Sequence, residues 1–286
     1  MPSLTPLERT EATQLIARAL SEDNANNDTT SQHALTPDPQ QQGTLTLVAK
    51  QNMVVAGLPL VPLVFPPPCQ PTLQQQDGTL IATGTTLATI NGTTQTLLAR
   101  ERSCLNSLQI LSGIATLTRT YSDKLRNHKT RILDTRKTIP ALRHLSKYAT
   151  RLGGAQNHRT SLHNTLFIKD NHWTACAGNL ATILSAMRKN LDPALLSTLI
   201  VECDSLTRVQ TALDHNVPHI LLDNMSLADM RQAVQLIDNR ATIEASGNIT
   251  LDTIEDVARC GVDYVSVGAL TLSAPAADIS ARLTTT

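Results

Sequence analysis

The stretch LIVECDSLTRVQTALDHNVPHILLD, Leu199 to Asp223, reads as strand, helix, strand. Leu199–Glu202 and His219–Asp223 are short apolar runs closed by a carboxylate. Between them, Leu206–Asp214 carries apolar residues three and four apart, the spacing of an amphipathic helix. Continuous apolar strands joined by a helix belong to a parallel sheet buried on both faces. Working outward, the same alternation holds. Candidate strands are Arg131–Asp134, Thr165–Lys169, Thr242–Ala245 and Tyr264–Val267, and candidate helices are Ala141–Arg151, Leu180–Lys189, Leu227–Ile237 and Thr253–Arg259. Such βα units close into an open doubly wound sheet or a barrel. Six strands are too few for a complete eight-stranded barrel, so an incomplete parallel α/β barrel of six to seven strands is expected.

The first hundred residues are organised differently. Leu7, Leu15, Ile16, Ala19 and Leu20 mark an amphipathic helix. Strand-like runs then follow without intervening helices: Thr44–Ala49, Met53–Ala56, Thr79–Ala82 and Thr86–Ile90. Asp77-Gly78 and Asn91-Gly92 supply turn signals. Together these predict an antiparallel α+β unit. From Thr93 to about Leu125 the pattern is helical, with Gly113 a tolerated interruption. The expected division is therefore an α+β domain over residues 1–115 and the barrel over 116–286, with a C-terminal tail free to return to the first domain.

Composition excludes several classes of function. Aromatic residues make up only 2% of the chain, so Leu, Ile, Val and Ala must fill the core, and base-stacking platforms for nucleic acid are not expected. The formal net charge is zero, so any anion site must be built locally from clustered cations. The N-terminal residues carry Glu8 and Glu11 and no apolar signal region, and the apolar run Met53–Phe65 is too short to span a bilayer. Cys69, Cys104, Cys176, Cys203 and Cys260 form no CxxC pair and read as reduced core thiols. The expectation is a cytoplasmic protein with no membrane and no nucleic-acid partner.

Chemistry concentrates at the strand ends. The first barrel strand ends in Asp134-Thr135-Arg136-Lys137, the second in Lys169-Asp170-Asn171-His172, the third at Glu202 and the fourth at Asp223-Asn224. The fifth runs into Ser246-Gly247-Asn248 and the sixth into Gly268. In parallel α/β folds these ends share one mouth, where ligands bind. Arg136, Lys137, His158, Arg159 and Lys169 form a cationic set for a polyanion. Glu202 and Asp223 suit a divalent metal, ribose hydroxyls or a developing cationic centre. The turns at Ser246-Gly247-Asn248 and Gly268-Ala269 expose backbone N–H groups where barrels seat phosphates. Each residue alone has a plainer reading: a solvated loop charge, a structural ion pair, a turn glycine. Trp173 and Met225 read as packing. Six decorated strand ends together are hard to ascribe to chance.

At these residues the sequence resembles the quinolinate phosphoribosyltransferases. The matching segments are ALSEDNANNDTTS, ARERSCLNSLQILSGIATLTR, ILDTRKTIPALRHLSKYA, GGAQNHR, FIKDNH, IVECDSL, ILLDNM, EASGNIT and GVDYVSVGALT, in the family's order from Ala19 to Thr271. Departures are small: Ala155 replaces a glycine, Ile200 an acidic residue, Ser161 a glycine and Asn164 an aspartate. None removes a matched ionic group.

The resemblance implies a sandwich-like N-terminal domain, an incomplete barrel, and a homodimer in which the N-terminal domain covers the partner's barrel mouth, with assembly into hexamers left open. It implies that Arg102 reaches the neighbour's site and contacts quinolinate, that Arg136, His158, Arg159 and Lys169 bind substrate, and that Lys137 belongs to the quinolinate pocket. It implies that Glu202 and Asp223 face the ribose and its Mg2+, and that Ser246, Gly247, Asn248 and Gly268 hold the 5′-phosphate. Lys137, Glu202 and Asp223 are the expected catalytic residues. The expected reaction joins quinolinate to phosphoribosyl pyrophosphate with loss of CO2, giving nicotinate mononucleotide for NAD synthesis. Three competing readings stand beside it. One is a same-fold, ModD-like homologue associated with molybdenum transport. Another is a Schiff-base aldolase using Lys137 or Lys169, and the third is a non-enzymatic sensor of phosphorylated ligands.

Overall fold

The computed structural model describes residues 4–34, 40–177 and 179–285. The chain begins with α1 (Pro6–Glu22), α2 (Thr29–Ala34), β1 (Gln42–Ala49), β2 (Met53–Val54), α3 (Val61–Val64), β3 (Gln70–Leu73), β4 (Leu80–Ile81), β5 (Thr86–Thr93) and the long α4 (Thr94–Lys124). It continues through β6 (Arg131–Leu133), α5 (Arg143–Leu152), β7 (Phe167–Ile168), α6 (Asp170–Ala175), α7 (Leu180–Asn190), α8 (Pro193–Leu196), β8 (Ile200–Cys203) and α9 (Leu206–Asp214). It ends with β9 (His219–Asp223), α10 (Leu227–Ile237), β10 (Thr242–Ser246), α11 (Ile254–Arg259), β11 (Tyr264–Ser266), α12 (Ala269–Leu272) and β12 (Ile279–Thr285).

Two compact units emerge, and neither is continuous in sequence. The first comprises Met1–Arg119, Thr138–Gly154 and Ala269–Thr286; the second comprises Thr120–Lys137 and Ala155–Gly268. The first unit is built on a four-stranded sheet in the order β12-β1-β5-β3. β12 pairs antiparallel with β1, Gly43 opposite Thr285 and Ala49 opposite Ile279. β3 and β12 were not expected as strands. β1 alternates buried and half-buried residues, with Leu45, Leu47 and Ala49 wholly buried, as a sheet with one covered face requires. Helix α1 opens on a reciprocal cap: the Thr5 N–H donates to Glu8 Oε2 at 2.8 Å and the Glu8 N–H to Thr5 Oγ1 at 3.4 Å. Gly113 is more than tolerated. A side chain there would strike the backbone carbonyl of Pro275, so glycine lets α4 lie against that segment.

The second unit is a parallel sheet in the order β6-β11-β10-β9-β8-β7. Its strands run in register from Arg131↔Tyr264 to Ile200↔Phe167, and an isolated parallel bridge, Leu133↔Gln156, adds a further strand-like step outside β6. The result is an incomplete α/β barrel. Its middle strands are apolar to the core: Ile200, Val201, Ile220, Leu221, Leu222, Ile243, Ala245 and Val265 are all buried. Four of the cysteines are buried free thiols, but Cys176, in the turn after α6, is only half-buried and is no core residue. Trp173 is buried as packing, and its indole N–H also donates to the Glu202 carbonyl oxygen at 2.9 Å.

Candidate active site

A cavity of about 530 Å³ opens at the carboxyl ends of the second unit's strands. The strands contribute from their last residues or from the loops that follow them. Arg136 and Lys137 come after β6, Lys169 follows β7, Glu202 and Asp223 come from β8 and β9, and Ser246, Gly247 and Asn248 lie where β10 ends; all of these line the cavity together with His158 and Arg159. Gly268 is not part of the lining, but its α-carbon backs onto Lys137: a β-carbon there would sit 2.8 Å from the Lys137 Cδ. Arg102 stands apart, exposed on α4 in the first unit and absent from this cavity's lining.

The acidic side of the cavity is built from two neighbouring strands. Glu202 is buried, and its Oε2 lies 3.0 Å from the Lys169 ammonium, while Oε1 accepts the Asp170 N–H at 3.3 Å. Asp223 accepts a hydrogen bond from the Asn224 side-chain amide at 3.0 Å. Burial, and then the Glu202 carboxylate nearby, push the Asp223 carboxyl above its ordinary range despite Asn224, Lys169 and Lys137. The two neighbouring carboxylates, which Lys169 and Lys137 offset only in part at Asp223, make this wall of the cavity acidic.

Next to them, the turn after β10 is locked by shape. The Asn224 N–H donates to the Ser246 carbonyl at 2.9 Å, and the Asn248 amide donates to Asn224 Oδ1 at 3.0 Å. Gly247 has φ of 97°, and a side chain there would overlap the Asn224 amide. Only glycine accommodates both constraints. The turn is therefore a fixed surface beside the two carboxylates.

The cationic side holds Arg136, Arg159 and Lys169. Burial, followed by the charge of Arg136, holds the Arg159 guanidinium below its usual value. Arg159 also donates to the Thr165 carbonyl at 2.9 Å. His158 is oriented from three directions: its N–H donates to buried Asp134 at 2.8 Å, its Nδ1 accepts the Arg159 N–H at 2.8 Å, and its Nε2 lies 3.4 Å from Glu244 Oε2. With Nδ1 accepting, the Nε2 carries the proton. Both ring nitrogens are thus committed to the protein.

Glu244 was not anticipated. It is wholly buried within β10, and its Oε2 also lies 3.1 Å from His219 Nε2. Burial alone would raise its carboxyl; His158 and His219, and then Ser266, outweigh that and bring it down to about 2. The signal was present in EASG: Glu244 and Ser246 are two apart on one strand, and so share a face.

Residues 114–282 match the family described as the quinolinate phosphoribosyl transferase C-terminal domain, and residues 28–112 match its N-terminal domain. The chain belongs to the quinolinate phosphoribosyltransferase family. It is 41% identical over 251 residues to a probable nicotinate-nucleotide pyrophosphorylase (carboxylating) of Synechocystis, a match that covers 85% of this chain and 84% of the relative. It is 34% identical over 293 residues to a mitochondrial quinolinate phosphoribosyltransferase (decarboxylating) of Nicotiana tabacum, covering 95% and 82%. Among solved structures, the nicotinate-nucleotide pyrophosphorylase of Ehrlichia chaffeensis superposes with a TM-score of 0.89 at 32% identity, covering 95% of this chain and 98% of that one. NadC of Streptococcus pyogenes gives 0.88 at 36%, each chain covered in full.

Proposed function

We propose that the chain transfers the phosphoribosyl group of phosphoribosyl pyrophosphate to the ring nitrogen of quinolinate, releasing pyrophosphate and CO2 and leaving nicotinate mononucleotide. The observation that carries this reading is the division of one cavity into a cationic wall, a pair of carboxylates and a glycine-locked turn. These match the three parts of the bound pair: the dicarboxylate, the ribose with its leaving group, and the 5′-phosphate.

Arg136, Arg159 and Lys169 replace the hydration of the two quinolinate carboxylates and aim the ring nitrogen at the anomeric carbon. As the nitrogen–carbon bond forms, the bond to pyrophosphate breaks and the pyrophosphate keeps the electron pair. The positive charge that develops on the ribose faces the Glu202 and Asp223 carboxylates, which favour it; one such electrostatic contact is worth on the order of 3 kcal/mol, or about a hundredfold in rate. The alkylated ring is then cationic. When the 2-carboxylate leaves as CO2, its electron pair stays beside the positive nitrogen, and a proton from water completes the carbon–hydrogen bond. Lys137, whose stem runs beside Gly268, orients the reacting carboxylate.

No group of three or more His, Cys, Asp or Glu ready to hold a metal exists among the described residues. Mg2+ does not need one, since it binds through one or two carboxylates plus substrate oxygens, and Glu202 and Asp223 provide hard oxygen donors of that kind. Held there, Mg2+ would neutralise charge on the pyrophosphate.

The assembly belongs to the same proposal: a homodimer in which Arg102 of one subunit completes the quinolinate pocket of the other. The five free cysteines fit the reducing cytoplasm. Among the described residues no helix is long and apolar enough to cross a membrane. The test is direct. The purified protein is incubated with quinolinate, phosphoribosyl pyrophosphate and Mg2+, and nicotinate mononucleotide and CO2 are measured; their equimolar appearance is expected, and their absence overturns the reading. Light scattering coupled to gel filtration reads the oligomeric state.

A further inference from the structure

Phe167 is one of only two phenylalanines in the chain, and it stands half-buried at the start of β7, on the wall of the cavity. Three groups of that wall converge on its ring. The Arg159 guanidinium carbon lies 4.8 Å from the ring centroid, the Lys169 ammonium 4.4 Å, and the His158 imidazole stacks at 5.9 Å with 15° between planes. The cluster is electrostatically costly, because Arg159 is both desolvated and repelled by Arg136. A carboxylate at position 167 would relieve that cost, but it would also occupy the N–H donors and cancel the charge that an anionic ligand needs. An aromatic face attracts cations through its quadrupole while leaving their donors free. A leucine would fill the same space without that attraction.

We propose that Phe167 is a positioning residue for quinolinate. Its ring gathers Arg159, Lys169 and His158 at a fixed spacing and presents the donors of the two cations to the vicinal carboxylates. The proposal rests on the reading that Arg159 and Lys169 bind quinolinate, and its test separates the two.

Phe167→Leu is expected to raise the quinolinate KM about tenfold, within the range of losing one or two partly desolvated cation–π contacts. The KM for phosphoribosyl pyrophosphate should move far less, and Phe167→Tyr should recover most of the loss. The decisive series keeps the shape of the ring: 4-fluoro-, 3,5-difluoro- and 3,4,5-trifluorophenylalanine incorporated at position 167 weaken the quadrupole stepwise. Quinolinate KM, and the Kd of the unreactive planar dicarboxylate phthalate, should rise with each fluorine, including where the leucine variant fails to fold. If the fluorinated proteins bind quinolinate and phthalate like the wild type while Arg159→Ala binds them poorly, the role of Phe167 is refuted and the cationic pocket stands. If Arg159→Ala and Lys169→Ala also bind both ligands normally, the pocket assignment falls, and the Phe167 role with it.

Discussion

Glu244→Gln replaces a charged carboxylate by a neutral amide of nearly the same shape, at a site with no exposure to solvent. In the native chain burial opposes ionisation, yet His158 at 3.4 Å and His219 at 3.1 Å, with Ser266 beside them, bring the carboxyl from 4.5 down to about 2. A tenfold change in an acid constant corresponds to about 1.4 kcal/mol. The ionised group therefore contributes on the order of 3 kcal/mol to the folded second unit. The folded value lies below the unfolded one, so this contribution is fully present above about pH 4.5 and is lost as the pH falls towards 2. The only tryptophan, Trp173, is buried in the same unit, so its fluorescence follows that unit's unfolding. Urea titrations from pH 7 to 2.5 should show the Gln variant less stable by about 3 kcal/mol at neutral pH, with the gap closing below pH 4.5. A gap that is the same at every pH, or no gap, would refute the assignment of Glu244 as a buried ionised partner of the two histidines.

Three further outcomes are expected. Gly247→Ala forces a side chain into a backbone with φ of 97° and against the Asn224 amide, so the turn must shift; steady-state kinetics should show a rise of roughly five- to a hundredfold in the KM for phosphoribosyl pyrophosphate, from strain of about 1–3 kcal/mol. Gly268→Ala places a methyl 2.8 Å from the Lys137 Cδ; displacing that stem should lower kcat by roughly ten- to a hundredfold, with circular dichroism unchanged. Lys137→Ala and Arg102→Ala should each abolish most turnover. Co-refolding the two inactive proteins should restore measurable nicotinate mononucleotide formation, and no recovery despite demonstrated subunit exchange would place Arg102 in its own chain's site.

Much of the second unit could be read from sequence because its strands are continuous apolar runs ended abruptly by charge. His219–Asp223 and Leu206–Asp214 have the expected limits. The expected strand Thr165–Lys169 shrinks to Phe167–Ile168, at the sheet's edge where pairing is one-sided. In the first unit, β3 contains Pro71 and follows Pro66, Pro67 and Pro68, a composition that argues against a strand and is tolerated only at an edge. β12, with Arg282 and three hydroxyl residues in seven, has too little apolar character to announce itself. The site divides in the same way. Polar residues at strand ends were conspicuous, whereas Glu244 was hidden between Ile243 and Ala245 inside a strand, and Phe167 passed as ordinary strand filler. What burial does to a carboxylate, or a ring to neighbouring cations, depends on groups brought together by folding.

The pairing of β12 with β1 joins Ile279–Thr285 to Gln42–Ala49. During synthesis from the N-terminus, β12 is made more than two hundred residues after its partner β1. While the ribosome still covers that tail, one edge of β1 remains open to water, to chaperones or to another nascent copy. Completion of the first sheet must therefore await synthesis of Ile279–Thr285, so a change in those residues acts on assembly of a sheet begun by Gln42–Ala49.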